Sequence, residues 1–123
     1  MSLVSKKLVI KVASAQSDAE RCAQAFTVAA TAIASGLDVS LWLTGEASWF
    51  AVPGKAEEFV LEHSANLAEM RDAILAGGSI TLCTQCAKRR DIKESDLIPG
   101  VHIAGAASFV EEIAGDNVQA LIY

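Results

Sequence analysis

The chain has 123 residues, one domain of ordinary size, and 52% of them are hydrophobic, enough to build a core. A formal net charge of −5 speaks against general nucleic-acid binding, which draws on a basic face and a high pI. Three cysteines, an odd count, do not suggest the disulfide framework of a secreted domain. The apolar run in "MSLVSKKLVIKVA" is too short and mixed for a signal peptide, and "AFTVAATAIASGL" falls short of the ~20 residues of a membrane helix. The expectation is a soluble cytoplasmic protein. In that reducing setting two close cysteines are more often catalytic or metal-binding than structural.

A first strand is expected over Lys7 to Ala13, "KLVIKVA", nearly continuous in apolar residues as a strand covered on both faces is. Ser17 and Glu20 have the spacing of a capping box, which predicts a helix from Asp18. Cys22, Phe26, Ala29 and Ile33 recur along it at helical spacing and mark its buried face, and Gly36 suits the left-handed residue that ends it. "DVSLWL", Asp38 to Leu43, is the second strand. "TGEASWFAVPGK" is a loop with room for one helical turn. Its Trp49 and Phe50 suit a pocket wall, a subunit contact or a cover over the core edge. "EEFVLEH" reads as a short strand or an extended segment. Asn66 and Glu69 repeat the capping spacing, Leu67, Met70, Ile74 and Leu75 form a helical stripe, and Gly77-Gly78 stops it. "SITLC" is a strand, "TQCAKRR" a short helix, and "KESDLIPG" a helical turn with a loop. "VHIAG" is a strand, "AASFVEEIAG" a helix with Phe109, Val110 and Ile113 inward, and "NVQALIY" the last strand.

Alternation of buried strands with amphipathic helices predicts an α/β fold with a mostly parallel five-stranded sheet, helices on both faces and right-handed crossovers. Ligands bind such sheets outside the carboxyl ends of the strands. Four loops qualify: Ser14 to Ser17, which contains Gln16; Thr44 to Phe50; Cys83 to Cys86; and Gly105 to Ser108. Cys83 is expected to close a strand and cap a short helix, whose amides and dipole favour the reactive thiolate. Cys86 follows about one turn later on the same side. Cys22, on an inner helix face, reads as a small hydrophobe of the core. A structural zinc needs four ligands, and the pair here has only His63 and His102 beside it, neither close to the other in sequence, so no metal is expected. His102 reads as a core or interface histidine and His63 as a loop residue. The run Lys88-Arg89-Arg90 fits a solvated helix end, or a local positive field that favours a thiolate or persulfide and an anionic partner.

The stretch "CTQCAKRRDIKESDLIPGVHIAGAASFVEEIAGDNVQALIY" resembles the C-terminal half of the DsrE/DsrF/TusD-like proteins. Those carry a strand ending in cysteine, a short helix ending in a basic residue, an acidic turn, then "GV.I.G" and a helix into the final strand. The N-terminal half fits as well. The resemblance implies a three-layer α/β/α, flavodoxin-like fold and assembly into homotrimers or hexamers. For the sulfur-trafficking members it implies a cysteine that carries a persulfide and exchanges sulfur with a donor or acceptor protein. There the active cysteine closes the strand six residues before a basic position, and Cys83 and Arg89 have that spacing. Asp91 stands where glycine is usual, and Cys86 is a thiol that many carriers lack. The expected function is a sulfur carrier or sulfurtransferase-like protein with Cys83 as nucleophile, Cys86 beside it, and Gln16, Trp49, Phe50, Arg89 and Arg90 as binding residues. No cofactor is expected. The alternatives are an oligomeric small-ligand-binding module in which the cysteines only pack, and a dithiol redox protein.

Overall fold

In the computed structural model, which describes residues 6–123, each apolar run and amphipathic segment takes its place in an alternating chain. Strand β1 (Lys7–Val12) is followed by helix α1 (Ala19–Ala34), β2 (Asp38–Leu43), α2 (Leu67–Gly77) and β3 (Ser79–Cys83). Then come the short α3 (Thr84–Arg89), β4 (His102–Ala104), α4 (Ala106–Ile113) and β5 (Val118–Ile122). The part of "MSLVSKKLVIKVA" before Lys6 lies outside the described residues. The sheet is parallel throughout, in the order β4-β3-β2-β1-β5. Its layering is that of flavodoxin, with this strand order in place of flavodoxin's 2-1-3-4-5.

The direction of the connections decides the layers. From β1 through β4 each step moves one strand to the same side, so right-handed crossovers place α1, α2 and α3 on one face. Helix α4 carries the chain back across β3, β2 and β1 to β5 and therefore lies on the other face. Strand register then sorts the side chains. Leu8, Ile10 and Val12, with Val39, Leu41 and Leu43, and Ile80 and Leu82, meet Phe26, Leu67 and Ile74 in the main core. Each fully buried side chain of this size contributes about 1.5–3 kcal/mol. The opposite row holds Lys7, Val9 and Lys11, Ser40 and Trp42, Thr81 and Cys83. It is covered by α4. Phe109 meets Trp42 edge to face at 5.3 Å, and Glu112 accepts from Trp42 Nε1 at 3.1 Å and pairs with Lys7 at 3.5 Å.

Local signals were realised unevenly. Gly36 has φ +87° and ends α1, and Asn66 Oδ1 accepts the Glu69 N–H at 3.0 Å. The Ser17–Glu20 capping box does not form. Gln16–Asp18 is a 3-10 turn whose Asp18 N–H already donates to the Ala15 carbonyl (3.1 Å), so α1 starts at Ala19 and Ser17 stays exposed. Gly77-Gly78 does more than end α2. A Cβ on Gly78 would lie 2.5 Å from the Val39 carbonyl oxygen, and one on Gly77 2.5 Å from Ile33 Cγ2, so both allow α2 to close on α1 and β2. The "TGEASWFAVPGK" loop contains a longer 3-10 stretch, Gly45–Ala51.

Three expectations are corrected. "EEFVLEH" joins no strand of the sheet, so the strand alternative fails, while the extended one holds at Phe59, whose backbone is extended (φ −68°, ψ 133°). Ala56–Glu58 is a 3-10 turn clamped by buried Arg71, whose Nη1 and Nη2 donate to Glu57 Oε1 and Oε2 at 3.2 and 3.0 Å. Val110 points outward, 58% exposed, because Phe109 occupies the sheet-facing stripe of a single short helix and adjacent helical residues point apart. His102 is exposed, at the start of edge strand β4 rather than in a core.

Candidate functional site

The loops that leave β1, β2 and β3 at the carboxyl edge meet around one point. Gly45, just after β2, takes φ +51°, and a Cβ there would stand 2.6 Å from the Ala13 carbonyl oxygen, which also accepts the Glu46 N–H at 3.2 Å. The Gly45 N–H donates to Cys86 Sγ at 3.3 Å. Glu46 Oε1 accepts from Arg90 Nη2 at 3.0 Å, and Arg90 Nη1 donates to the Cys86 carbonyl at 3.2 Å. The end of β1, the loop after β2 and helix α3 are thus tied through Gly45 and Glu46.

Cys83 is the last residue of β3 and the N-cap of α3, partly exposed. Burial pushes its thiol pKa up. The Cys86 N–H, the Cys86 thiol, the Gln85 N–H and the Lys11 ammonium more than offset that, and the pKa is lowered. No amide closes a strict capping hydrogen bond onto the sulfur, so the amides act through their orientation toward it. Cys86 is buried one turn later, at 8% exposure. All three cysteines are free thiols. Cys22 is fully buried, and burial first, then Asp18, pushes its pKa up to about 12, which leaves it protonated and inert near neutrality.

The basic run divides. Lys88 and Arg89 are exposed, whereas Arg90 is committed to Glu46 and the α3 backbone. Gln16, Trp49 and Phe50 come together elsewhere, around a cavity of about 330 Å³ that Lys55, Glu58 and Phe59 also line. Phe50 is foremost a core residue, 4% exposed and edge-on to Phe26 (5.8 Å) and Phe59 (6.0 Å). The Gln16 amide closes the rim. It donates to the Val60 carbonyl at 2.8 Å and accepts the Val60 N–H at 3.0 Å. Cys83 does not line this cavity. The two places are neighbours linked by Glu46, which lines the cavity and holds Arg90. Two hydroxyls on the same loops, Ser14 Oγ and Ser48 Oγ, are buried with no hydrogen-bond partner. Among the described residues no group of three or more His, Cys, Asp or Glu side chains is placed to hold a metal ion.

Sequence reasoning missed Gly45, Glu46 and Lys11. Lys11 left one signal, a lysine inside the otherwise apolar run "LVIKV". It lies on the Cys83 face of the sheet, with Nζ 4.9 Å from the Phe109 ring centroid.

A model of the DsrE/DsrF-like family matches residues 6–117. A curated relative, the uncharacterized protein MJ0989 of Methanocaldococcus jannaschii, is 31% identical over 115 residues, covering 91% of this chain and 96% of that protein. In structure the chain is similar to the ychN protein of E. coli, with a TM-score of 0.78 at 20% identity over 98% of this chain and 100% of that one. It is also similar to MTH1491 of Methanobacterium thermoautotrophicum, a protein of unknown function. There the TM-score is 0.66 at 11% identity over 97% and 100% of the two chains. At these identities the structural likeness shows the fold alone.

Proposed function

This chain belongs to the DsrE/DsrF-like family, and from that premise we propose that it is a cytoplasmic sulfur carrier whose persulfide forms on Cys83. The observation that carries the reading is the placement of Cys83. It is a partly exposed thiol at the carboxyl end of β3, lowered in pKa by the α3 amides and a buried neighbouring thiol. The Cys83 thiolate attacks the outer sulfur of a donor persulfide. The donor's S–S bond breaks, a new one forms on Cys83, and the donor leaves as a thiol once it takes up a proton. The transferred sulfur keeps its oxidation state, so no reductant is needed. Cys86 acts as hydrogen-bond support for the anion, held in place by the Gly45 N–H. Exposed Lys88 and Arg89 offer a cationic approach for an acidic donor or acceptor protein.

The expected assembly is a homotrimer or hexamer. It is supported by Val110 and Ile122, 58% and 60% exposed on the α4 side of the sheet, where apolar surface is left open. The cytoplasmic reading is compatible with the described helices, none of which is long and apolar enough to cross a membrane. The test is treatment with a polysulfide followed by intact mass. An adduct of one sulfur atom that survives in Cys86→Ser and disappears in Cys83→Ser supports the carrier, and no adduct on any cysteine overturns it.

A second reading is favoured by the cavity walled by Trp49, Phe50 and Phe59. It is a small-ligand-binding module of the same fold, in which the cysteines only pack. There a Cys83→Ser, Cys86→Ser double variant keeps its ligand affinity while Trp49→Ala loses it.

A further inference from the structure

Lys11 is a cation that the sheet holds in a fixed place. It belongs to β1 and pairs in register with Trp42, which pairs with Thr81, so its side chain shares a face with Cys83 two strands away. Two strand spacings, with the two residues from Thr81 to Cys83 along β3, put the Cα atoms ~12 Å apart, about half of which a lysine side chain crosses. Its ammonium rests on the Phe109 ring at 4.9 Å, and that ring stands edge-on to Trp42. Helix α4 brings the ring there. Its N-cap, Gly105, lies against Thr84, the residue after Cys83, where a Cβ would be 3.7 Å from Oγ1. The Phe109 N–H closes the first turn on the Gly105 carbonyl at 3.2 Å. Thus Cys83, Thr84, Gly105, Phe109 and Lys11 form one neighbourhood.

Other charges around Cys83 are otherwise engaged or point away. Glu112 of α4 is held by Lys7 and Trp42, and Glu46 of the loop after β2 by Arg90. His102 of β4 is level with Thr81 and exposed. Lys88 and Arg89 lie in the last turn of α3, at the far end from Cys83. Lys11 makes no ion pair with a carboxylate among the described residues.

We propose that Lys11 is a positioning residue for the Cys83 chemistry: its ammonium, seated on the Phe109 ring, stabilises the thiolate and, after transfer, the persulfide anion. The second half rests on the carrier reading above; the first does not. The direction of the Lys11 effect on the Cys83 thiol agrees.

The test is the pH dependence of Cys83 alkylation by iodoacetamide, read by peptide mass spectrometry. The variants are Lys11→Met, Lys11→Gln, Lys11→Arg and Lys7→Met, with a thermal melt to confirm that each is folded. Both neutral variants at position 11 should move the profile to higher pH and slow alkylation at pH 7 roughly threefold. Lys11→Arg should restore the native profile. Lys7→Met, which removes a cation already paired with Glu112, should leave it unchanged. Profiles of Lys11→Met and Lys11→Gln that coincide with the native one overturn the proposal and leave Lys11 a cover for Phe109. Polysulfide loading separates the two readings. A native chain that takes no sulfur while the profile shifts in Lys11→Met refutes the carrier and keeps the Lys11 effect. Loading of Cys83 with an unchanged profile does the reverse.

Discussion

Gly45 sits where the end of β1, the loop after β2 and helix α3 meet, and alanine at this position perturbs all three. The left-handed backbone, φ +51°, costs an L-residue about 1 kcal/mol. The added Cβ would stand 2.6 Å from the Ala13 carbonyl oxygen, a backbone atom that cannot swing aside. Overpacking of that kind costs about 1–3 kcal/mol. The sum is about 3 kcal/mol, and for a 123-residue chain it lowers the melting temperature by about 12 °C. A circular dichroism melt measures it, with Gly36→Ala as control. Gly36 also has a positive φ, +87°, but nothing lies within 4 Å of its Cβ, so only strain remains and the expected drop is about 4 °C. Because the Gly45 N–H holds Cys86 Sγ, Gly45→Ala should also speed alkylation of Cys86. If Gly45→Ala melts within about 2 °C of Gly36→Ala, the contact with Ala13 is soft and the reasoning fails.

The Cys22 pKa, about 12 against an ordinary 9.0, is raised, so its contribution to stability is complete below pH ~9 and is lost as pH climbs toward 12, at about 1.4 kcal/mol per unit. Urea unfolding of Cys22→Ala between pH 9 and 11 should show a correspondingly shallower decline than the native chain. Asn66→Ala should destabilise by about 1 kcal/mol, because its side chain caps α2, while Ser17→Ala should stay within about 0.5 kcal/mol, because the matching box does not form. The Arg71 hydrogen bond holds the Glu57 carboxyl below its ordinary pKa, a contribution present above pH ~4.5 and lost as pH falls through the folded value. With Glu57 half exposed, Glu57→Gln should cost about 1 kcal/mol at pH 7 and converge with the native chain in acid, as read by urea midpoints.

What could be read without coordinates was local. Apolar runs and three-residue capping intervals placed the strands, the Asn66 cap and the stop at Gly77-Gly78, because periodicity and backbone capping act within a turn or two. The same logic put Cys83 at a strand end. It erred at Ser17, where a 3-10 turn pre-empts the cap, and at Val110, where α4 offers the sheet only one stripe.

The amino-acid order alone carries the βα alternation, the hydrophobic content of each strand and the place of Cys83 at the end of a strand and the start of a helix. Tertiary structure alone decided which face each helix covers and what surrounds that thiol. Gly45 and Cys86 are 41 residues apart, as are Trp42 and Cys83 in number, and Lys11 reaches the Cys83 neighbourhood only because β2 lies between β1 and β3 in register. Such contacts are fixed by crossover direction and strand pairing between distant segments, which no periodicity within one segment encodes.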